Sequence, residues 1–131
     1  MKTTTFFSAF LFLIVLSSAC QRTNKELIIG KWSFIGFNLL DTTSMKDDGG
    51  IAAIAWLNLM TNGGAIEFYE NGDYEMKKEP TYIEKGKYSI SKNSIVITKL
   101  DGSNENDTLN FKNNNELEIK SSTMKLLLKR N

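Results

Sequence analysis

No histidine occurs anywhere in the 131 residues. That removes the commonest general base, the Ser/His and Cys/His nucleophile pairs and the usual zinc ligand sets. Cysteine is nearly absent as well: Cys20 stands alone, so no internal disulfide can form. Neither sign of charge is in surplus, with 16 basic and 15 acidic residues. A nucleic-acid partner would want a basic excess, and none is expected. There is also no phosphate loop, no metal-ligand spacing and no nucleophile beside a base. The expectation is a protein that is not an enzyme and needs no cofactor or metal.

What is present begins with an address. Lys2 is the only charge in residues 1–19, Phe6 to Leu16 is apolar except for Ser8, and Ser17-Ser18-Ala19 are small. Cation, apolar core and small-residue cleavage site follow one another as in a secretory signal. The apolar run is shorter than the about 20 residues that span a bilayer. Cys20 follows directly, and "LSSAC" resembles the lipobox of bacterial lipoproteins, with Ser17 where that motif usually has a large aliphatic residue. The resemblance implies cleavage after 1–19, acylation of Cys20, and a membrane anchor in the bacterial cell envelope. Arg22 in place of aspartate accords with outer-membrane sorting, the leaflet being open. An ordinary cleaved signal beside an incidental cysteine is the alternative. Residues 20–25 read as a polar tether, and 26–131 as one domain.

That domain is patterned as strands. "IIGKWSF" opens the first, over about 31–40, with Trp32 and Phe34 on one face and Ser33, Ile35, Phe37 and Leu39 on the other. Gly36 inside it marks a bend. "IAAIAWLNLM", Ile51 to Met60, has no charge and favours a helix that must be buried, cap something or touch lipid. Register then selects the turns. A three-residue loop Glu70-Asn71-Gly72 sets Phe68 against Tyr74 and Ile66 against Met76. Lys92-Asn93 sets Ile90 against Ile95 and Tyr88 against Ile97, and Asn113-Asn114-Asn115 sets Phe111 against Leu117. A turn at Ser121-Ser122 sets Ile119 against Met124 and Leu117 against Leu126. A one-residue slip would invert every side chain, so the agreement is informative. Further strands fall at about 64–70, 73–79, 84–91, 94–100, 107–112, 116–120 and 123–130. Eight sequential antiparallel strands hide both edges by closing into an up-and-down barrel.

The phrases "LIIGKW", "EFYENGDYEM", "GKYSISKNSIVI" and "MKLLLKR", in that order, resemble the lipocalin-like domain of small bacterial lipoproteins. The resemblance implies an all-β, eight-stranded antiparallel barrel, with one short helix between strands one and two. It also implies that Gly30 and Trp32 form the Gly-x-Trp motif at the closed end, with Arg130 covering the indole. Phe34, Phe68, Tyr74, Met76, Tyr88, Ile90, Ile97, Phe111, Leu117 and Leu126 then line or fill the barrel, with Trp56 and Leu59 over the mouth. The filled alternative is a packed barrel that docks an envelope protein; the open one binds a small apolar or amphipathic ligand. Of the strand carboxylates Glu67, Glu75 and Glu84, parity puts Glu67 and Glu75 on the face opposite Phe68, in solvent.

Overall fold

A computed structural model of the chain describes residues 22–41 and 48–131. Cys20 and the segment read as a signal lie outside the described residues. The order is α1 (Asn24–Leu27), β1 (Gly30–Leu39), α2 (Asp48–Thr61), β2 (Gly64–Phe68), β3 (Asp73–Lys78), β4 (Thr81–Ser91), β5 (Ser94–Lys99), β6 (Asn104–Asn113), β7 (Glu116–Lys120) and β8 (Met124–Arg130). The eight strands form a closed, sequentially ordered barrel, every neighbouring pair antiparallel. Closure leaves no strand edge to template association.

Three hairpins hold the registers expected from the pattern: Phe68 faces Tyr74, Tyr88 faces Ile97 and Phe111 faces Leu117. The fourth differs. Ile119 faces Leu126 and Leu117 faces Leu128, two residues on from the expected partners. Ser121 is the reason. Its N–H donates to the Met124 carbonyl at 2.9 Å, and its hydroxyl accepts from the backbone N–H of Met124 at 3.1 Å. The turn therefore falls at Ser122-Thr123. A slip of two preserves parity, so the apolar face is unchanged.

β1 does not alternate simply. A bulge between Phe34 and Gly36 leaves Ile35 without a partner on β8 and 55% exposed. Phe37 and Leu39 then pair with Leu126 and Met124, on the face of Trp32 and Phe34 rather than that of Ser33. One extra residue flips everything after it.

The ends of the barrel differ. At the lower end, Trp32 is fully buried, and its indole N–H donates to the Ile28 carbonyl at 2.7 Å. The Arg130 guanidinium lies 4.3 Å from the indole centroid. It donates to the carbonyls of Ile29 and Asn114, each at 2.9 Å, and to that of Leu27. Gly30 makes room: its φ is +123°, and a Cβ there would sit 3.0 Å from Arg130 Nη1. α1 covers this end, capped by the reciprocal Thr23–Glu26 box, with Asn24 donating to the Lys92 carbonyl and the Asn93 side chain on the β4–β5 turn. The stretch read as a tether thus already contains part of the lower cap.

Arg130→Lys keeps the charge but loses the fork. It is expected to lower stability by about 1–2 kcal/mol, and Arg130→Ala by about 3 kcal/mol, in urea unfolding followed by fluorescence.

Candidate ligand cavity at the open end

The interior is packed below and hollow above. Below, Phe68 meets Tyr88 edge to face at 4.9 Å between centroids, and Trp32 meets Phe111 at 5.9 Å. The Tyr88 hydroxyl donates to the Tyr69 carbonyl at 2.6 Å, which gives the ring's polar tip a partner inside the apolar cluster. Above, a cavity of about 660 Å³ opens between the strands and α2. Small-molecule sites commonly fall between about 300 and 1,000 Å³.

Of the side chains expected to line a pocket, Phe34, Met76 and Trp56 do so, together with Ile97 and Leu126. Phe68, Tyr74, Tyr88 and Phe111 do not; with Ile90 and Leu117 they belong to the packed core. They sit one or two rungs nearer the closed end, where the barrel has no spare width. Leu59 is not over the mouth either: it is 46% exposed. α2 is seated instead by buried Leu57 and Met60, which leaves Trp56 and Ala53 to line the void. Trp56 stands edge-on to Phe34, with centroids 6.3 Å apart.

The apolar floor was expected; the polar wall was not. Glu84, Lys99, Glu105, Asn106 and Asp107 line the same cavity, and Ser121, Ser122 and Thr123 form part of its lip. The β3–β4 register sets Glu84 opposite Met76, Gly86 sits opposite both Tyr74 and Lys99, and Glu105 and Asp107 oppose Ile97 and Ile95. Facing residues share a side of the sheet, so these charges point inward with the core. Parity carried the signal: Glu84 is in step with Tyr88 and Ile90, and Asp107 with Leu109 and Phe111. Glu67 and Glu75 face one another on the outside, where Glu75 meets Lys77 at 3.1 Å.

The wall has internal order. The Tyr74 hydroxyl donates to Glu84 at 2.5 Å. Burial, then the Glu84 carboxylate, push the Tyr74 phenol well above its ordinary range. Its ring lies over Gly86, where a Cβ would come 2.9 Å from the ring and 2.3 Å from the Thr98 carbonyl, so no side chain fits there. Lys99 and Glu105 pair at 2.7 Å near the rim, and this holds the ammonium above its ordinary value. The Asp107 carboxylate has no hydrogen-bond partner among the described residues. Burial first, then the neighbouring Glu105, raise its pKa despite Lys99. Among the described residues no three ligand-type side chains are grouped so as to hold a metal ion.

A raised carboxyl pKa fixes the sign of a stability effect. The unfolded chain ionises Asp107 first, so the group costs nothing well below the ordinary carboxylate range, and its penalty is complete only above the raised native value. Asp107→Asn is therefore expected to raise the melting temperature at pH 7 by roughly a few degrees. Repeated near pH 3, thermal unfolding is expected to show the advantage gone; a gain equal at both pH values would assign it to something other than charge.

No protein-family model, curated protein or solved structure matches the chain, and the reading of the site rests on its own geometry.

Proposed function

We propose that this chain is a non-catalytic, lipocalin-like binding protein of the bacterial cell envelope, anchored through acylated Cys20 and holding one small amphipathic molecule in the upper half of its barrel. The observation that carries the reading is the cavity of about 660 Å³ beneath α2. A packed barrel that served only to dock an envelope protein would be filled at this level. Aromatic and aliphatic walls at one side and ionised groups at the other suit a ligand with an apolar body and a polar head.

The anchor and the cavity would lie at opposite ends. Cys20 precedes the N-cap residue Thr23 by three positions, at most about 10 Å of extended chain. α1 is fixed to the closed end by Asn24. An acylated Cys20 therefore sets the sealed end against the headgroups and turns the mouth toward water. α2 then lies away from the bilayer, as a cover over the cavity and not as a foot in lipid. The ligand is collected from the aqueous side, and the membrane supplies only position.

N-phenyl-1-naphthylamine, an uncharged apolar fluorophore, is a direct probe. Its emission is expected to rise on adding protein and to saturate near one equivalent, with quenching of protein fluorescence that is lost in Trp56→Phe. Ala53→Phe and Ile119→Phe each push a ring into the void and are expected to weaken binding by roughly tenfold. Absence of saturable binding to the wild-type protein, or undiminished binding to both filled variants, would overturn the reading.

A further inference from the structure

We propose that the head of the ligand is a cation, an alkylammonium or related amine, drawn to the acidic wall of Glu84, Glu105 and Asp107, and that the cavity discriminates against carboxylate-headed amphiphiles. This rests on the binding reading above and specifies its ligand class.

The charge count of the wall is the first ground. Glu84, Glu105 and Asp107 line the cavity against one cation, Lys99, and that cation is already engaged by Glu105 at 2.7 Å. Lys78 shares the face of Met76 at the end of β3 but does not line the cavity. A carboxylate head entering the void meets a wall with more carboxylates than ammoniums, and its one ammonium is already engaged. A cationic head meets the reverse, in surroundings drier than bulk water, where a charge pair counts for more.

Hydrogen bonding gives the second ground. Glu84 takes one donor from Tyr74, and Asp107 takes none among the described residues. An ionised carboxylate accepts several donors, so both groups keep acceptor capacity toward the cavity. An ammonium brings N–H donors to that vacancy; a carboxylate brings only acceptors.

Third, the aromatic side of the void fits the same head. Trp56 and Phe34, the latter on β1 and so not on a strand next to β4 or β6, line the same void. Their ring faces attract cations, and tryptophan does so most strongly. The carboxylates themselves are spread round the wall and form no metal cluster. A diffuse organic cation with an apolar tail satisfies both sides at once; a small hard ion satisfies neither.

Three amphiphiles with the same ten-carbon tail separate the possibilities: decylammonium, decanol and decanoate, each below its micelle concentration, titrated into the protein by calorimetry at pH 7. Decylammonium is expected to bind roughly tenfold more tightly than decanol, a discrimination of about 1.4 kcal/mol, and decanoate more weakly than decanol. In Asp107→Asn with Glu84→Gln the preference for the amine over the alcohol is expected to collapse. Decanol binding with no preference for the amine, a preference for decanoate, or an amine preference that survives both substitutions would overturn the proposal and leave the binding reading standing. Failure of all three to bind would remove both.

Discussion

The Arg130 guanidinium holds the two ends of the chain together, and the rest of the barrel depends on that contact. It lies on the Trp32 ring and takes up carbonyls from Leu27, Ile29 and Asn114, so one side chain joins α1, the start of β1 and the β6–β7 turn. Without it β1 and β8 would still be adjacent in pattern, but the carbonyls that turn inward around Trp32 would lose their donors. The Leu27 and Ile29 carbonyls are part-buried and that of Asn114 is exposed, so the loss falls on the first two. Gly30 belongs to the same device: the Cβ of any other residue would crowd the guanidinium, and its backbone conformation is one that glycine adopts freely.

Sealing one end decides what the other end can be. The aromatic residues Trp32, Phe68, Tyr74, Tyr88 and Phe111 are gathered in the lower and middle barrel, where they fill its width. Above them the strands carry Phe34, smaller apolar groups and charges, and α2 lies over the space between. The helix is held by Leu57 and Met60, the latter packed so closely on Gly64 that a Cβ there would come 2.6 Å from the Met60 carbonyl. A cover fixed at its C-terminal turn, with Trp56 one turn earlier beside the void, keeps the cavity roofed without filling it.

Where the apolar alternation is clean, the sequence predicts strand, face and partner: Ile66, Phe68, Tyr74, Met76, Tyr88, Ile95, Ile97 and Leu109 all stand where period two puts them. The closed-end triad of Gly30, Trp32 and Arg130 was legible through family resemblance, and the contact itself is in place. Two kinds of feature escaped. Bulges at Ile35 and Ile83 change parity by one residue, and no local composition announces which residue will be extra. The polar wall escaped for a different reason. β4 and β6 were expected to begin at 84 and 107, the points where inward positions turn from apolar to charged, yet they run from Thr81 and Asn104. A strand that faces a hollow keeps its geometry while dropping its hydrophobic alternation, so pattern alone trims it at the edge of the cavity.

That trimming has a physical meaning. Inward carboxylates are poor material for a core: they shed water, and their attraction to one another's partners seldom repays it. Filling the upper barrel with leucine and phenylalanine would be the simpler route to stability for a chain of this length, and the lower half shows that this sequence takes that route where it can. Asp107 instead is half-buried, and burial raises its pKa. Tyr74 is committed to Glu84 by a ring position that only a glycine at 86 permits. Position 86 is thus held to glycine beside the tyrosine that serves Glu84. The inward charges of Glu84, Glu105 and Asp107 line the same void as Phe34 and Trp56.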